Sequence, residues 1–223
     1  MRIKNALVYT VEHGFEERDV RIKNGCFAGS EAAGTDGEEI LDAGGDYLIP
    51  GLVDIHFHGC AGHDFSDGTP EALQAIGAYE LRQGVTHICP ASMTLSEETL
   101  KTVCANAYAY TKRPEAEQDT GARLIGIHLE GPFISMEKKG AQNPAYIRNP
   151  DVEMFLRLQE AAHGLVRLVT IAPETDGAKE FIRRLADQVH ISVGHTCSDY
   201  ETAYRAFSLG ADHVTHFFNA MPP

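Results

Sequence analysis

From residue 52 onward, short apolar runs alternate with longer stretches in which apolar residues recur at helical spacing. Each apolar run predicts a strand buried on both faces. Strands of that kind, separated by helices, are typical of a parallel sheet. The predicted strands are 52–57, 85–89, 124–129, 165–171, 189–193 and 213–215, and the predicted helices are 70–83, 96–111, 151–162, 176–187 and 198–208.

Such a sheet can be an open doubly wound sheet or a (β/α)8 barrel. No glycine-rich phosphate-binding turn follows the first strand, which counts against an open dinucleotide-binding sheet. Chemically active side chains follow several strands, as is usual in barrels, but a full barrel has eight units and the pattern supplies six. We predict an α/β fold, an incomplete (β/α)8 TIM-type barrel of about six β-α units, and expect the chain to be part of a longer protein.

The first 50 residues have a different pattern of brief β-like runs separated by turns. Runs at 3–10, 19–23, 26–29, 40–41 and 47–49 predict short strands, and 30–39 predicts a polar loop. Asn24-Gly25 indicates a tight hairpin, because both residues tolerate positive φ. The sequence therefore predicts two domains, a small N-terminal β-sandwich portion at 1–50 and the partial barrel at 51–223.

Composition excludes several classes of partner. The formal net charge is -13 and the pI is about 5.2, so the chain lacks the basic surface that nucleic-acid binding requires. No apolar run approaches the roughly 18 residues of a membrane span, and the first residues are too polar for a signal peptide. Five scattered cysteines without a CxxC pair indicate reduced thiols and a cytoplasmic protein.

Two histidines end the first strand of the alternating region. His56 and His58 are two residues apart, so on a strand they point to the same face and can chelate one divalent cation. The alternative is a pair of polar residues that are satisfied by hydrogen bonds at a strand end.

A glutamate ends the third apolar run. If Glu130 is buried there without a partner, the cost is several kcal/mol. A metal ion is the natural partner, and an ion pair with Arg or Lys is the alternative. His128, two residues earlier on the same face, is interpreted as a support for the ligands or as a core histidine.

Two further histidines, His195 and His216, each end an apolar run and precede a loop. Each alone is more often a hydrogen-bonded core residue. Together with the earlier three they place five metal-type ligands at four strand ends of one parallel sheet, which predicts a metal site. Mixed nitrogen and oxygen ligands suit Zn²⁺, Fe²⁺ or Mn²⁺.

The order of these motifs carries a resemblance. Short N-terminal strands, then PGLVDIHFHG, HLEGPF, GHT and HFFNAM resemble the amidohydrolase superfamily. Within it, HLEGPFIS, KKGAQNP and THFFNAMPP resemble the N-acetylglucosamine-6-phosphate deacetylases. The resemblance implies a metal-dependent hydrolase that removes acetate from N-acetylglucosamine 6-phosphate, giving glucosamine 6-phosphate, and a homodimer. Alternatives are a related sugar phosphate such as N-acetylgalactosamine 6-phosphate, a cyclic-amidase or dipeptidase type of hydrolase, and an inactive metal-binding fragment.

The resemblance also implies roles for individual residues. Glu130, His195 and His216 match the principal metal ligands, and His56 and His58 match a pair that allows a second ion, so one or two ions are expected. Gln142 stands where the family often has histidine. The implied substrate contacts are Ala141, Gln142, Asn219 and Ala220.

The family's catalytic Asp, a substrate His and a phosphate-binding Arg occur later than residue 223. No catalytic residue is therefore assigned within the chain, and we expect residues 1–223 alone to bind metal with little turnover. Asp54 is interpreted as a core residue or as a hydrogen-bonding support for the histidines, and not as a catalytic residue. The loop 131–149 carries Lys138, Lys139 and Arg148, which suit either a sugar phosphate or a solvated loop.

Overall fold

The computed structural model describes residues 1–28, 37–114 and 119–222. Most of the predicted loop at 30–39 lies outside these residues. The chain divides into two compact units, Met1–Gly51 and Leu52–Pro223, one residue beyond the boundary expected from sequence. No helix in the described ranges is long and apolar enough to cross a membrane.

The N-terminal unit contains one mixed sheet within its described residues. The strands are β1 Arg2–Thr10, β2 Gly14–Lys23, β3 Cys26–Ala28, β4 Ile40–Asp42 and β5 Tyr47–Leu48. β1 pairs antiparallel with β2 and parallel with β4 and β5, and β3 extends the sheet beyond β2. A second sheet is not seen in that part of the chain, so the β-sandwich stays a prediction.

The predicted hairpin turn is confirmed. Asn24 and Gly25 have φ angles of 53° and 73°, and Lys23 pairs with Cys26 across them. The strand before this turn is longer than predicted, since it begins at Gly14. Acidic residues in that stretch disfavour a strand by propensity, but pairing with β1 and an edge contact of Phe15 with Tyr9 override it.

The second unit alternates strands and helices. The parallel strands are β6 Leu52–Asp54, β9 Val85–Ile88, β10 Ala91–Ser92, β11 Arg123–Leu124, β12 Ile127–Glu130, β13 Val166–Ile171, β14 His190–Val193 and β15 His213–Val214, and a small hairpin joins β7 Gly59–Cys60 to β8 His63–Asp64. The helices are α1 Pro70–Arg82, α2 Glu97–Thr111, α3 Val152–Ala161, α4 Ala178–Leu185 and α5 Tyr200–Ser208, with 3-10 turns at Phe65–Asp67 and Pro144–Tyr146.

The strands lie side by side in chain order. β9 pairs with β6 and β11, whereas its continuation β10 pairs with β12, which is followed by β13, β14 and β15. The break falls at Pro90, which has no N–H to donate, although its carbonyl accepts from His128 N at 3.0 Å. Across the described strands the order never reverses, and a reversal is the mark of open doubly wound sheets.

The helix starts follow from capping. Thr69 caps α1 with Pro70 in its first turn, and Ser96 caps α2. α4 begins two residues later than predicted, after Gly177 in a left-handed conformation. α5 also begins two residues later, because Asp199 accepts a hydrogen bond from Thr202 N and caps it.

Helices α1 and α2 are in close contact at a glycine. A methyl group on Gly77 would lie 2.1 Å from the Tyr110 hydroxyl oxygen, and that hydroxyl donates to the Ala122 carbonyl at 3.0 Å.

We expect Gly77→Ala to lower the free energy of unfolding by about 1–3 kcal/mol through overpacking, although alanine normally favours a helix. Urea denaturation measures this. Tyr110→Phe should relieve part of the loss in the double variant, and purely additive effects would contradict the clash.

An ion pair links α2 and α3. Arg157 donates to both oxygens of Glu97 at 2.6 and 2.9 Å, and with Lys101 it lowers the pKa of Glu97 to about 2. The contribution of this ion pair to the free energy of unfolding is present above the ordinary pKa of a glutamate, and it is lost as pH falls from about 4.5 towards 2.

We therefore expect Glu97→Gln to destabilise the protein by about 0.5 kcal/mol at pH 7 and by progressively less below pH 4.5, because the wild-type carboxylate becomes protonated. Thermal denaturation across pH measures the difference. Glu153→Gln is the control, because Glu153 makes one exposed contact with Arg184. If Glu97→Gln were as destabilised relative to wild type at pH 2 as at pH 7, the result would contradict the assignment of this stabilisation to the charged Glu97–Arg157 pair.

Candidate metal centre

A buried carboxylate is at the centre of the candidate site. The Glu130 side chain is 0% exposed, and its Oε1 lies 3.0 Å from His195 Nε2 and 2.6 Å from His216 Nε2. Oε2 lies 2.8 Å from His58 Nε2, and His56 Nε2 is 3.9 Å from Oε1. The structure thus brings together all five ligand residues predicted from the sequence.

The fold explains this convergence. Glu130 is the last residue of β12, and the histidines follow β6, β14 and β15. Carboxyl ends of parallel strands meet at one edge of a sheet, so these side chains share one space. The prediction that 52–57 is one strand was too long, because β6 ends at Asp54. His56 and His58 lie on its extended continuation, where the Phe57 carbonyl still accepts from Ala91 N at 2.8 Å.

Two ligand residues have unusual backbone angles. His195 and His216 have φ of 47° and 55°, in the left-handed region that non-glycine residues rarely adopt. Such conformations cost of order 1–3 kcal/mol and cluster at functional sites. In both cases the turn directs an imidazole towards Glu130 immediately after the strand ends.

The second ring nitrogens of the histidines are also held. Nδ1 of His195 is 2.6 Å from the Lys138 carbonyl, and Nδ1 of His58 is 3.0 Å from the Ala91 carbonyl. A carbonyl only accepts, so each Nδ1 carries a proton and donates it. In the neutral ring this leaves the lone pair on Nε2, the atom that faces Glu130, which is how proteins orient metal-binding histidines.

The charges of the site are strongly coupled. Burial alone would raise the pKa of the Glu130 carboxyl, but hydrogen bonds with His195 and His58 outweigh it and lower that pKa far below its usual range. The same carboxylate raises the pKa of His58 and of His195, against the opposing effect of burial. Burial lowers the pKa of His56. The cluster is therefore a fixed negative charge surrounded by groups that accept either protons or a cation.

The donor set fits a divalent cation. Two groups of ligand atoms, each within 4.8 Å of one another, share the same carboxylate: His56, His58 and Glu130, and Glu130, His195 and His216. A carboxylate shared by two histidine pairs suits two neighbouring ions as well as one. Imidazole-rich sites favour Zn²⁺, Fe²⁺ or Mn²⁺ over Ca²⁺ or Mg²⁺, which prefer oxygen.

A third group lies at the opposite ends of the strands. The imidazoles of His190 and His213 contact different oxygens of Asp212 at 2.5 and 2.8 Å. All three are partly or largely exposed, and their hydrogen bonds already satisfy one another.

The long loop after Glu130 is more ordered than its sequence indicates. Phe133 and Ile134 are buried, and a 3-10 turn forms at Pro144–Tyr146. Ser135 N donates to the His195 carbonyl at 2.8 Å, and the Lys138 carbonyl faces His195 Nδ1. This loop therefore helps to hold a ligand residue in place.

The residues expected to contact substrate differ in their surroundings. Ala141 and Asn219 are exposed, and Ala220 is half-buried with φ of 50°. Gln142 is buried, where its Oε1 accepts from Thr94 N at 2.6 Å and its Nε2 lies 3.4 Å from Glu130 Oε2. Its side chain thus braces Glu130, a role that no sequence signal indicated.

Other polar residues near the site have structural partners. Asp54 Oδ1 accepts from His56 N at 2.9 Å, so this carboxylate holds the strand extension. His128 is buried, which lowers its pKa to about 3, and it contacts His56 rather than the Glu130 carboxylate. Burial raises the pKa of Cys60 to about 11, which makes it a poor nucleophile. Cys197 Sγ lies 3.5 Å from Ser135 Oγ.

Comparison with protein families decides the classification. The model of the amidohydrolase family matches residues 47–222. The chain belongs to the amidohydrolase family. Amidohydrolases are generally metal-dependent hydrolases, which agrees with the histidine and glutamate cluster of this chain.

Individual relatives of this amidohydrolase are deacetylases. The N-acetylglucosamine-6-phosphate deacetylase of Bacillus subtilis is 39% identical over 187 residues, 83% of this chain and 47% of its own length. The N-acetylgalactosamine-6-phosphate deacetylase of Escherichia coli O157:H7 is 29% identical, over 95% of this chain and 55% of its own length.

A solved structure gives the same result for the fold. The N-acetylglucosamine-6-phosphate deacetylase of Mycobacterium smegmatis, solved as a mutant in complex with N-acetylglucosamine 6-phosphate, aligns with a TM-score of 0.86 and 31% identity. The alignment covers 100% of this chain and 57% of that one. The predicted α/β amidohydrolase fold is confirmed, and the chain spans about half the length of the curated relatives it matches.

Binding of a divalent metal ion at Glu130 should stabilise the folded state of this amidohydrolase. We expect Zn²⁺ or Co²⁺ added to metal-free protein to raise the melting temperature, because a ligand that binds only the folded state stabilises it. Glu130→Gln should abolish the shift, since it removes the carboxylate shared by both ligand groups. Differential scanning fluorimetry measures it. An equal shift in that variant would show that the metal binds elsewhere, and His213→Gln is the control.

Proposed function

We propose that the protein containing this chain removes the acetyl group from N-acetylglucosamine 6-phosphate, giving acetate and glucosamine 6-phosphate. The observation that carries the proposal is the convergence of four imidazoles on the buried Glu130 carboxylate, in a chain whose relatives bear that activity in their names. A divalent ion held at such a centre can activate water and polarise an amide carbonyl.

The fold proposed for the whole unit is a (β/α)8 barrel. Six neighbouring strand positions in chain order, with helices between them, support six of its units in residues 51–223. Residues 1–50 then form part of a β-sandwich, of which the five-stranded sheet supplies one layer.

The proposed ligand roles combine the two candidate groups with the family resemblance. Glu130, His195 and His216 would hold the principal ion, and His56 and His58 with Glu130 would hold a second one. When bound, the metal lowers the pKa of its water to near neutrality and polarises the amide carbonyl. The protein contributes the fixed Nε2 positions and the charge that retains the ion.

Substrate would enter over the exposed side of this cluster. Ala141 and Ala220 offer backbone groups to the sugar, and Asn219 offers an exposed amide. Lys138 and Lys139 are half-buried in the same loop, next to the carbonyl that holds His195, and they suit the phosphate. Gln142 acts through Glu130, since its side chain is already engaged there.

The leaving amine needs a proton donor as well. In the family that the sequence resembles, an Asp that occurs later than residue 223 supplies it. Within the described residues, Glu130 is assigned to the metal, and one oxygen of Asp54 accepts from the backbone of His56. We therefore expect residues 1–223 alone to bind metal and to release little acetate.

The activity test uses the natural protein that contains this sequence. We expect acetate release from N-acetylglucosamine 6-phosphate, lost with a chelator and restored by Zn²⁺, Fe²⁺ or Mn²⁺. His195→Gln should lower kcat/KM by about 100-fold or more, because it removes a ligand of the principal ion. His213→Gln, at the opposite ends of the strands, should retain full activity. Acetate release that resists the chelator and survives His195→Gln would overturn the proposal.

A second substrate is favoured by one observation. The Escherichia coli relative named for N-acetylgalactosamine 6-phosphate covers 95% of this chain. The two sugars differ only in the configuration at C4, so both would present the same acetamido group to the cluster of ligands. Competition between both substrates measures the choice, and a higher kcat/KM for the galacto sugar would assign the protein to it. The expected homodimer stays a prediction.

A further inference from the structure

A buried line of polar side chains extends from the metal centre into the sheet. His56 Nδ1 lies 3.2 Å from His128 Nδ1, and His128 Nε2 lies 2.7 Å from Thr170 Oγ1. The line continues at 2.8 Å to Thr215 Oγ1 and at 2.6 Å to Ser192 Oγ. We propose that this chain of hydrogen bonds is a positioning device that fixes the tautomer of His56, so that its Nε2 lone pair faces the metal.

The placement of these residues is unusual for a sheet interior. His128, Thr170 and Ser192 come from three adjacent strands, and Thr215 directly follows the fourth. Each is at most 5% exposed. Valine would fill the place of threonine with almost the same shape, and a buried hydroxyl is costly unless it is hydrogen-bonded. Packing alone therefore does not account for three adjoining hydroxyls.

The number of protons restricts the two histidines to two states. Each contact needs one hydrogen, and a neutral imidazole has only one N–H to donate. One proton lies between His56 Nδ1 and His128 Nδ1, because two N–H groups would repel and two lone pairs would leave no bond. Either the donors point inward, with His56 donating to His128 and His128 to Thr170, or they point outward, with Thr170 donating to His128 and His128 to His56.

The two directions have opposite consequences for the ligand. In the inward direction His56 donates from Nδ1, and His128 donates from Nε2 to the Thr170 hydroxyl oxygen. His56 Nε2 is then free to bind metal. In the outward direction His128 donates to His56, whose proton moves to Nε2 and blocks that position.

The other ligands show why His56 needs this arrangement. His58 and His195 each use a backbone carbonyl, which enforces the tautomer because it only accepts. His56 contacts another imidazole instead, which can donate or accept. Its tautomer therefore depends on which nitrogen of His128 carries the proton, and Thr170 contacts the nitrogen of His128 that is far from His56.

The inference rests on the metal centre of the proposed function, and cobalt binding tests it without catalysis. Thr170→Val removes the hydroxyl and keeps the shape, whereas Thr170→Ser keeps the hydroxyl. We expect Thr170→Val to weaken the binding of one Co²⁺ ion by about 10–100-fold and to change its visible absorption spectrum, because an orienting partner of a ligand is lost. Thr170→Ser should bind like wild type.

A double variant separates positioning from packing. If the hydroxyls act through His56, Thr170→Val should have little further effect on cobalt affinity in a His56→Asn background. Ser192→Ala, at the end of the line, should give a smaller loss than Thr170→Val and serves as the second variant if the valine protein does not fold. Urea denaturation of the metal-free proteins shows whether each variant is folded.

The outcomes are distinct. Equal cobalt affinity and spectra in wild type, Thr170→Val and Ser192→Ala would overturn the inference while leaving the metal centre intact. A loss in Thr170→Ser as large as in Thr170→Val, or an undiminished loss in the His56→Asn background, would also overturn it. If wild-type protein binds no cobalt, the metal centre of the proposed function fails as well. If cobalt binds as expected but no acetate is released, only the proposed activity fails.

Discussion

The arrangement of the candidate metal centre depends on the free-energy cost of burying one carboxylate. Glu130 has no exposed surface, and an unpaired charge there would cost several kcal/mol. Four imidazoles offset that cost, and two of them have their pKa raised by the same group. Since these rings can bind either protons or a cation, the groups that stabilise the buried carboxylate are also the groups that would hold a metal ion.

The parallel sheet makes this arrangement possible over long sequence distances. Residues from 56 to 216 meet because their strands end at one edge, and the backbone at His195 and His216 turns sharply enough to direct both rings inward. The loop after Glu130 adds the carbonyl of Lys138 and the amide of Gln142. Strand ends provide the candidate ligands, the loop contacts two of them, and the proposed line of hydrogen bonds in the sheet interior would orient His56.

The sequence was sufficient for what depends on periodicity and local motifs. Strand and helix positions, the Asn24-Gly25 turn and the five candidate ligands follow from apolar spacing and from polar residues at strand ends. It was insufficient where partners are distant. In the sequence Gln142 is an ordinary loop amide, and only the fold places it beside Thr94. Likewise, Thr170, Ser192 and Thr215 are far apart in the sequence, and the register of the strands brings their hydroxyls together. The early start of β2 depends in the same way on pairing that overrides propensity.

The loop that follows Glu130 is fastened to His195 from both sides, through the amide of Ser135 and the carbonyl of Lys138. A segment anchored on His195 could not move away without disturbing an ion that His195 coordinated. A bound ion would therefore stiffen this surface region, and the rate at which a protease cleaves near Lys138 would report whether the site is occupied.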